Sequence, residues 1–162
     1  MPSGLAHRRL ALSFLLLLLA AVVYTYDDLI LWFGADPVFE YLLLFVVSFL
    51  VGTYLLSPDL DLSDSDPSRS WGIARVIWRP YAAVFRHRGW SHTPVVGTLT
   101  RVLYLGAIAL LALSLVEGVR ATDDSELFPV EGVMISSRSL CVFAGLVLSD
   151  IVHVWADRFF GK

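Results

Sequence analysis

The chain of 162 residues is 57% hydrophobic and 17% charged, with a mean hydropathy of +0.70. A soluble domain carries roughly 25% charged residues, so the composition excludes that class and points to a single membrane domain covering residues 1–162. The net charge of −3 carries little weight, because charge placement matters more than its sum in a membrane, and the single Cys141 excludes an intrachain disulfide or a thiolate metal cluster.

Four segments have the length and apolarity to cross a bilayer, which takes about 20 residues. The first, over 10–26, reads LALSFLLLLLAAVVYTY and has room to continue past Asp27 and Asp28 into LILWF. Arg8 and Arg9 before an apolar run resemble the start of a signal peptide, but no small-x-small cleavage site follows cleanly, so a retained helix is expected. The second span, over 38–56, follows Pro37. The third, over 95–116, is opened by Pro94, which suits a helix start. The fourth, over 139–160, begins apolar and then acquires Asp150, His153 and Asp157. The expected fold is all-α: an integral membrane bundle of four transmembrane helices.

Four spans put both termini and the loop 57–94 on one side. That side holds Arg8, Arg9, Arg69, Arg75, Arg79, Arg86, Arg88, Arg158 and Lys162; the other holds only Arg120 and Arg138, with Arg101 inside the third span. The positive-inside rule then places the termini and the loop in the cytoplasm, as a multi-pass protein of the cell membrane. Within the loop, SWGIARVIWRPYAAVFR puts Arg75, Arg79 and Arg86 on one helical face with Trp78, Tyr81 and Phe85 elsewhere, and Pro80 must bend or break any helix there. Such a segment suits an interface lined by anionic lipids, and a basic loop obeying the charge rule accounts for it equally well.

This topology brings four polar clusters to one end of the bundle. His7 precedes the first span, SPDLDLSDSD follows the second, HRGWSH precedes the third, and DIVHVWAD ends the fourth. Every histidine of the chain is on that side. Asp150, His153 and Asp157, at i, i+3 and i+7, share one helical stripe, and carboxylates at a membrane boundary are costly and usually functional. Pro58 ends the second helix, and an extended Asp59-x-Asp61 points both carboxylates the same way, as a hard cation requires. Asp64 and Asp66 read instead as an acidic solvated turn. His87 and His92 would stand about 140° apart on a continuous helix, so they converge only if the chain turns at Gly89. Ser91 next to His92 is not, by adjacency alone, a nucleophile–base pair. The chain has no Walker loop, G-x-S-x-G elbow or H-E-x-x-H motif, and the basic stretch is met by lipid phosphate as readily as by nucleic acid, so no nucleic-acid partner is expected.

The opening MPSG..H, the SPDLD after a span, RSWG....IWRPY, the HRGWSH box and GTLTRVLYL together resemble an uncharacterised family of predicted metal-binding integral membrane proteins. That family is similar to the YdjM-like membrane-bound metal-dependent hydrolases and, more remotely, to zinc-dependent phospholipase C. The resemblance implicates His7, Asp59, Asp61, His87, His92, Asp150, His153 and Asp157 as metal ligands. Where the family places an acidic residue after its first histidine, Arg8 stands here.

Eight nitrogen and oxygen donors exceed the needs of one tetrahedral ion, so more than one divalent ion can be held. The imidazoles favour zinc, with manganese, iron and magnesium as alternatives. The expected activity is hydrolysis by a metal-activated water, with Arg86, Arg88 and Arg101 as candidates to hold a phosphate-bearing or lipid substrate. Arg101 could equally snorkel to the interface. A non-catalytic metal-binding protein and a divalent metal transporter are the rivals, although a transporter needs ligands near the bilayer midplane, where these spans are nearly featureless.

Overall fold

A computed structural model describes residues 4–85, 89–120 and 136–160, the last four of the middle stretch by backbone only. Among them, every regular element is helical. Helix α1 spans Gly4–Tyr24 and α2 Tyr26–Phe33, separated by a turn at Thr25; helical structure resumes over Asp27 and Asp28 as α2, while the segment long and apolar enough to cross a membrane ends at Tyr24. Gly34, at φ 84°, reverses the chain where a side chain would be strained, and α3 follows over Ala35–Tyr54. The loop folds into 3-10 turns at Pro58–Asp61, Gly72–Trp78 and Trp90–His92, with α4 over Asp66–Ser70 and α5 over Arg79–Val84. Helices α6 (Pro94–Arg120) and α7 (Ser137–Phe160) complete the chain.

Four of these helices are long and apolar enough to cross a membrane: α1, α3, α6 and α7. Leu16, Leu17, Leu103 and Leu110 are all more than half exposed, so much of the apolar surface faces outward rather than into a core. The main contact inside the bundle is α3 against α7. A Cβ added to Gly145 would lie 2.7 Å from the Phe45 carbonyl and 3.1 Å from the Phe49 nitrogen, and one on Gly52 would lie 3.0 Å from Ser149 Cβ. Small residues four apart on both helices, Ser48 and Gly52 facing Gly145 and Ser149, let the backbones approach closely.

These pairings rise together along both helices, so α3 and α7 run parallel. That is the relation between the second and fourth of four alternating spans. Helix α1 packs through Ala11 and Leu15 against Phe49 of α3 and Val152 of α7. As a result the start of α1, the segment after α3, the turn before α6 and the end of α7 all gather at one end.

The loop closes that end. Trp78 and Tyr81, which the spacing sets apart from Arg75 and Arg79, turn inward. They are buried with Leu60, and Trp71, Phe85 and Tyr104 pack around them. Trp71 Nε1 donates to the Leu55 carbonyl at 2.9 Å, Tyr81 and Thr100 share a 3.0 Å hydroxyl bond, and the Tyr104 hydroxyl donates to the Ile77 carbonyl. The exposed residues include Arg75 and Arg79 with Ile73, Val76 and Val84. Pro80 sits in the first turn of α5, where its missing N–H costs nothing.

Candidate metal centre

The Asp59–Asp61 segment is a 3-10 turn, not the extended stretch the spacing suggested. With three residues per turn, neighbours point about 120° apart and Asp59 and Asp61 cannot aim the same way. Leu60 between them is driven into the Trp78–Tyr81 cluster, which sends Asp59 to one side and Asp61 to the other. The turn is fastened from outside by Ser65. Its hydroxyl donates to the Asp59 carbonyl at 2.7 Å and caps α4 by accepting from the Ser68 N–H.

His92 sits in the next turn, seated on α6 because residue 97 is glycine. A Cβ there would fall 2.8 Å from the Ser91 carbonyl carbon. The two aspartates reach opposite edges of the His92 ring. Asp59 Oδ1 is 3.5 Å from Nε2, and Asp61 Oδ2 is 3.5 Å from Nδ1. Ser91, fully buried, donates to Asp61 Oδ2 at 2.6 Å and lies 3.2 Å from His92 Nδ1. Since the serine proton is committed to Asp61, its oxygen can only accept from an Nδ1–H. When the ring is neutral, that tautomer leaves the Nε2 lone pair facing Asp59. Burial opposes charge on His92, but Asp59 and Asp61 outweigh it and hold the imidazole pKa up to about 9.

Helix α7 supplies His153 and Asp157, one turn apart on a single face, with Nε2 and Oδ2 separated by 3.5 Å. His153 Nε2 also lies 3.4 Å from Asp59 Oδ2, and its Nδ1 is 3.5 Å from the Ser57 hydroxyl. From α1, His7 stacks on His153 at 4.5 Å between ring centroids and reaches Asp157 Oδ1 at 3.0 Å. One ligand atom each from Asp59, His92, His153 and Asp157 lies within 4.8 Å of all the others.

These residues fit a divalent ion. Ligands at about 2.0–2.1 Å from a tetrahedral centre stand about 3.4 Å apart; Asp59 Oδ1 to His92 Nε2, Asp59 Oδ2 to His153 Nε2 and Asp157 Oδ2 to His153 Nε2 are separated by 3.4–3.5 Å. Such separations are long for hydrogen bonds. His153 Nε2 is buried with no hydrogen-bond partner among the described residues, although carboxylate oxygens surround it. A buried donor atom aimed at a shared point and bonded to none of its neighbours is arranged for a further ligand-accepting atom between them. Two imidazoles and two carboxylates, without thiolate, form a set that transition metals accept.

The remaining sequence candidates fall elsewhere. Asp150 does not join the centre. It is buried against α6, accepting from Thr98 and paired with Arg101. A stripe sets the face but not the depth: Asp150 lies about 10 Å along the axis from Asp157, two turns deeper. Arg101 neither snorkels nor faces a cleft. It is 1% exposed, held by Asp150, and its Nη1 donates to the Ser91 carbonyl at 3.3 Å. Arg86, His87 and Arg88 lie outside the described residues. Sequence reasoning gave no role at the centre to Ser57 and Ser91, the serines of SPD and WSH. Their signal is a serine preceding a ligand motif at a turn.

The family described as uncharacterized metal-binding protein (DUF2227) matches residues 2–162. A protein of Aquifex aeolicus (strain VF5), described only as uncharacterized, is 44% identical over 66 residues, which is 41% of this chain and 47% of that relative. The match thus spans about half of the curated relative's length. No solved structure matches the chain.

Proposed function

The chain belongs to the DUF2227 family of uncharacterised metal-binding proteins, and from that premise we propose a membrane-embedded, metal-dependent hydrolase whose centre is held by Asp59, His92, His153 and Asp157. The observation that carries the reading is the buried, unbonded His153 Nε2 beside carboxylate oxygens at 3.4 and 3.5 Å. Four long apolar helices with outward-facing leucines support integration in a membrane, and the basic-residue bias supports a cytoplasmic position for the termini and the centre.

The chain's own residues would divide the work. Asp59 and Asp157 supply charge to a divalent ion, with zinc the first candidate and manganese, iron or magnesium behind it. His92 and His153 supply neutral nitrogen. Asp61, through Ser91, fixes the His92 tautomer. His7 stacks on His153 and holds the second oxygen of Asp157, which gives a further ion a donor pair. A divalent ion in this donor set supplies Lewis acidity and activates water for hydrolysis. The substrate class in keeping with a centre at the mouth of an apolar bundle is a phosphate-bearing or lipid molecule, with membrane lipids as the surrounding partner. The donors sit at helix ends, which favours an enzyme or binder over a carrier.

The test is metal content of purified protein with His153→Ala and Asp59→Asn, followed by a phosphodiester and phospholipid hydrolysis screen. Bound metal in the wild type that falls in both variants, together with turnover, is the expected result. Metal without turnover leaves a binder, metal flux into proteoliposomes a transporter, and no metal in the wild type overturns the reading.

A further inference from the structure

Beside the centre, a cleft opens between α1, the end of α3 and the Pro58–Asp61 turn. Asp59 and His153 form its metal-side wall, and Arg8 lines it from α1. Arg8 is partly buried, with its Cζ 5.2 Å from the centre of the Tyr54 ring. A cation–π contact of this kind uses none of the guanidinium N–H groups as a hydrogen bond to a carboxylate, and they form the planar fork that matches phosphate oxygens. Among the described residues no carboxylate forms an ion pair with it. Asp66, also in the cleft, is drawn instead to the start of α1: a Cβ on Gly4 would fall 2.9 Å from its Cγ. There the helix dipole favours a negative charge. Arg101, the arginine the sequence offers inside a span, is consumed by Asp150.

We infer that Arg8, seated on Tyr54 in the cleft that Asp59 and His153 line, is the anion-binding group of this centre and takes a phosphate oxygen of the substrate. The inference rests on the metal-centre reading above. An acidic side chain at position 8 would add charge to the ion, whereas an arginine there draws an anion to it. The same chemistry serves a lipid headgroup and a water-soluble phosphate ester.

The test uses full-length protein in detergent, loaded with zinc, with inorganic phosphate as the probe. Phosphate affinity is read by calorimetry and zinc by elemental analysis, for wild type, Arg8→Gln and Arg8→Lys. Expected is a loss of about tenfold or more in phosphate affinity for Arg8→Gln, partial recovery in Arg8→Lys, and zinc unchanged in both. Equal phosphate affinity in wild type and Arg8→Gln, with zinc in place, overturns the inference alone. Loss of zinc in Arg8→Gln also overturns it, because Arg8 would then hold the centre together rather than an anion. A wild type that takes up no zinc or other divalent ion overturns the metal reading and this inference with it. Competition by glycerol phosphate against short-chain phosphatidic acid separates the sources: stronger displacement by the lipid assigns the headgroup, and equal displacement the soluble ester.

Discussion

Asp61 faces the Nδ1 edge of His92 at 3.5 Å, on the side of the ring opposite Asp59, and Ser91 bridges the two through a 2.6 Å bond to the carboxylate. The pair therefore acts on the nitrogen that a metal would not use. Asp61→Asn keeps the volume but removes the charge that orients the ring. Metal affinity is expected to fall about 10- to 100-fold with little change in Tm. Competition with a chelator of known affinity measures it. Ser91→Ala is expected to shift affinity in the same direction by less.

The raised pKa of His92 makes metal uptake depend on pH. In the metal-free protein its imidazole holds a proton up to about pH 9, and that proton must leave before Nε2 can bind. Apparent metal affinity is expected to rise by about tenfold per pH unit toward pH 9 and then level off. Stability of the metal-free protein moves the opposite way. A pKa raised above the unfolded value of 6.5 stabilises fully below 6.5, and that contribution is lost as pH climbs through about 9. Thermal melts across pH 6 to 10, with and without chelator, check both signs; a flat apo profile would refute the charge assignment.

The buried Arg101–Asp150 pair ties α6 to α7 and, through the Ser91 carbonyl, to the His92 turn. Arg101→Met leaves Asp150 as an uncompensated charge and is expected to cost about 3–5 kcal/mol, while the double change Arg101→Met with Asp150→Leu recovers most of it. A double-mutant cycle on unfolding reads this directly. If Arg101 instead touched substrate, the double variant would melt normally yet lose phosphate binding.

Gly145→Val forces a side chain into the 2.7–3.1 Å gap against the Phe45 carbonyl and the Phe49 nitrogen. Because the obstacle is backbone, α3 and α7 must separate. That moves His153 and Asp157 away from Asp59. Loss of metal together with a fall in Tm is expected, the overpacking cost exceeding the usual 1–3 kcal/mol. Gly106→Val, where a Cβ would meet nothing within 4 Å, is the control and is expected to keep its metal.

The sequence alone determined the four apolar helices and the gathering of His7, the Asp59 segment, His92 and the Asp157 helix at one end. Span length and apolarity are local properties, and alternation of four spans then leaves no choice of side. Reading Asp59 and Asp61 as pointing the same way failed because a burial event outside the motif, Leu60 under Trp78 and Tyr81, sets the turn as 3-10. Assigning Asp150 to the centre failed because helical spacing gives direction but not depth, and at its depth the neighbour is Arg101 rather than His92. Only the tertiary structure decided which oxygen meets which nitrogen. The parallel α3–α7 contact at Gly52 and Gly145 sets the height of His153 against Asp59, and Gly97 sets the height of His92 against both. Carboxylate-to-Nε2 separations of 3.4–3.5 Å depend on those heights to a fraction of an ångström, and close packing between distant helices is what supplies such precision.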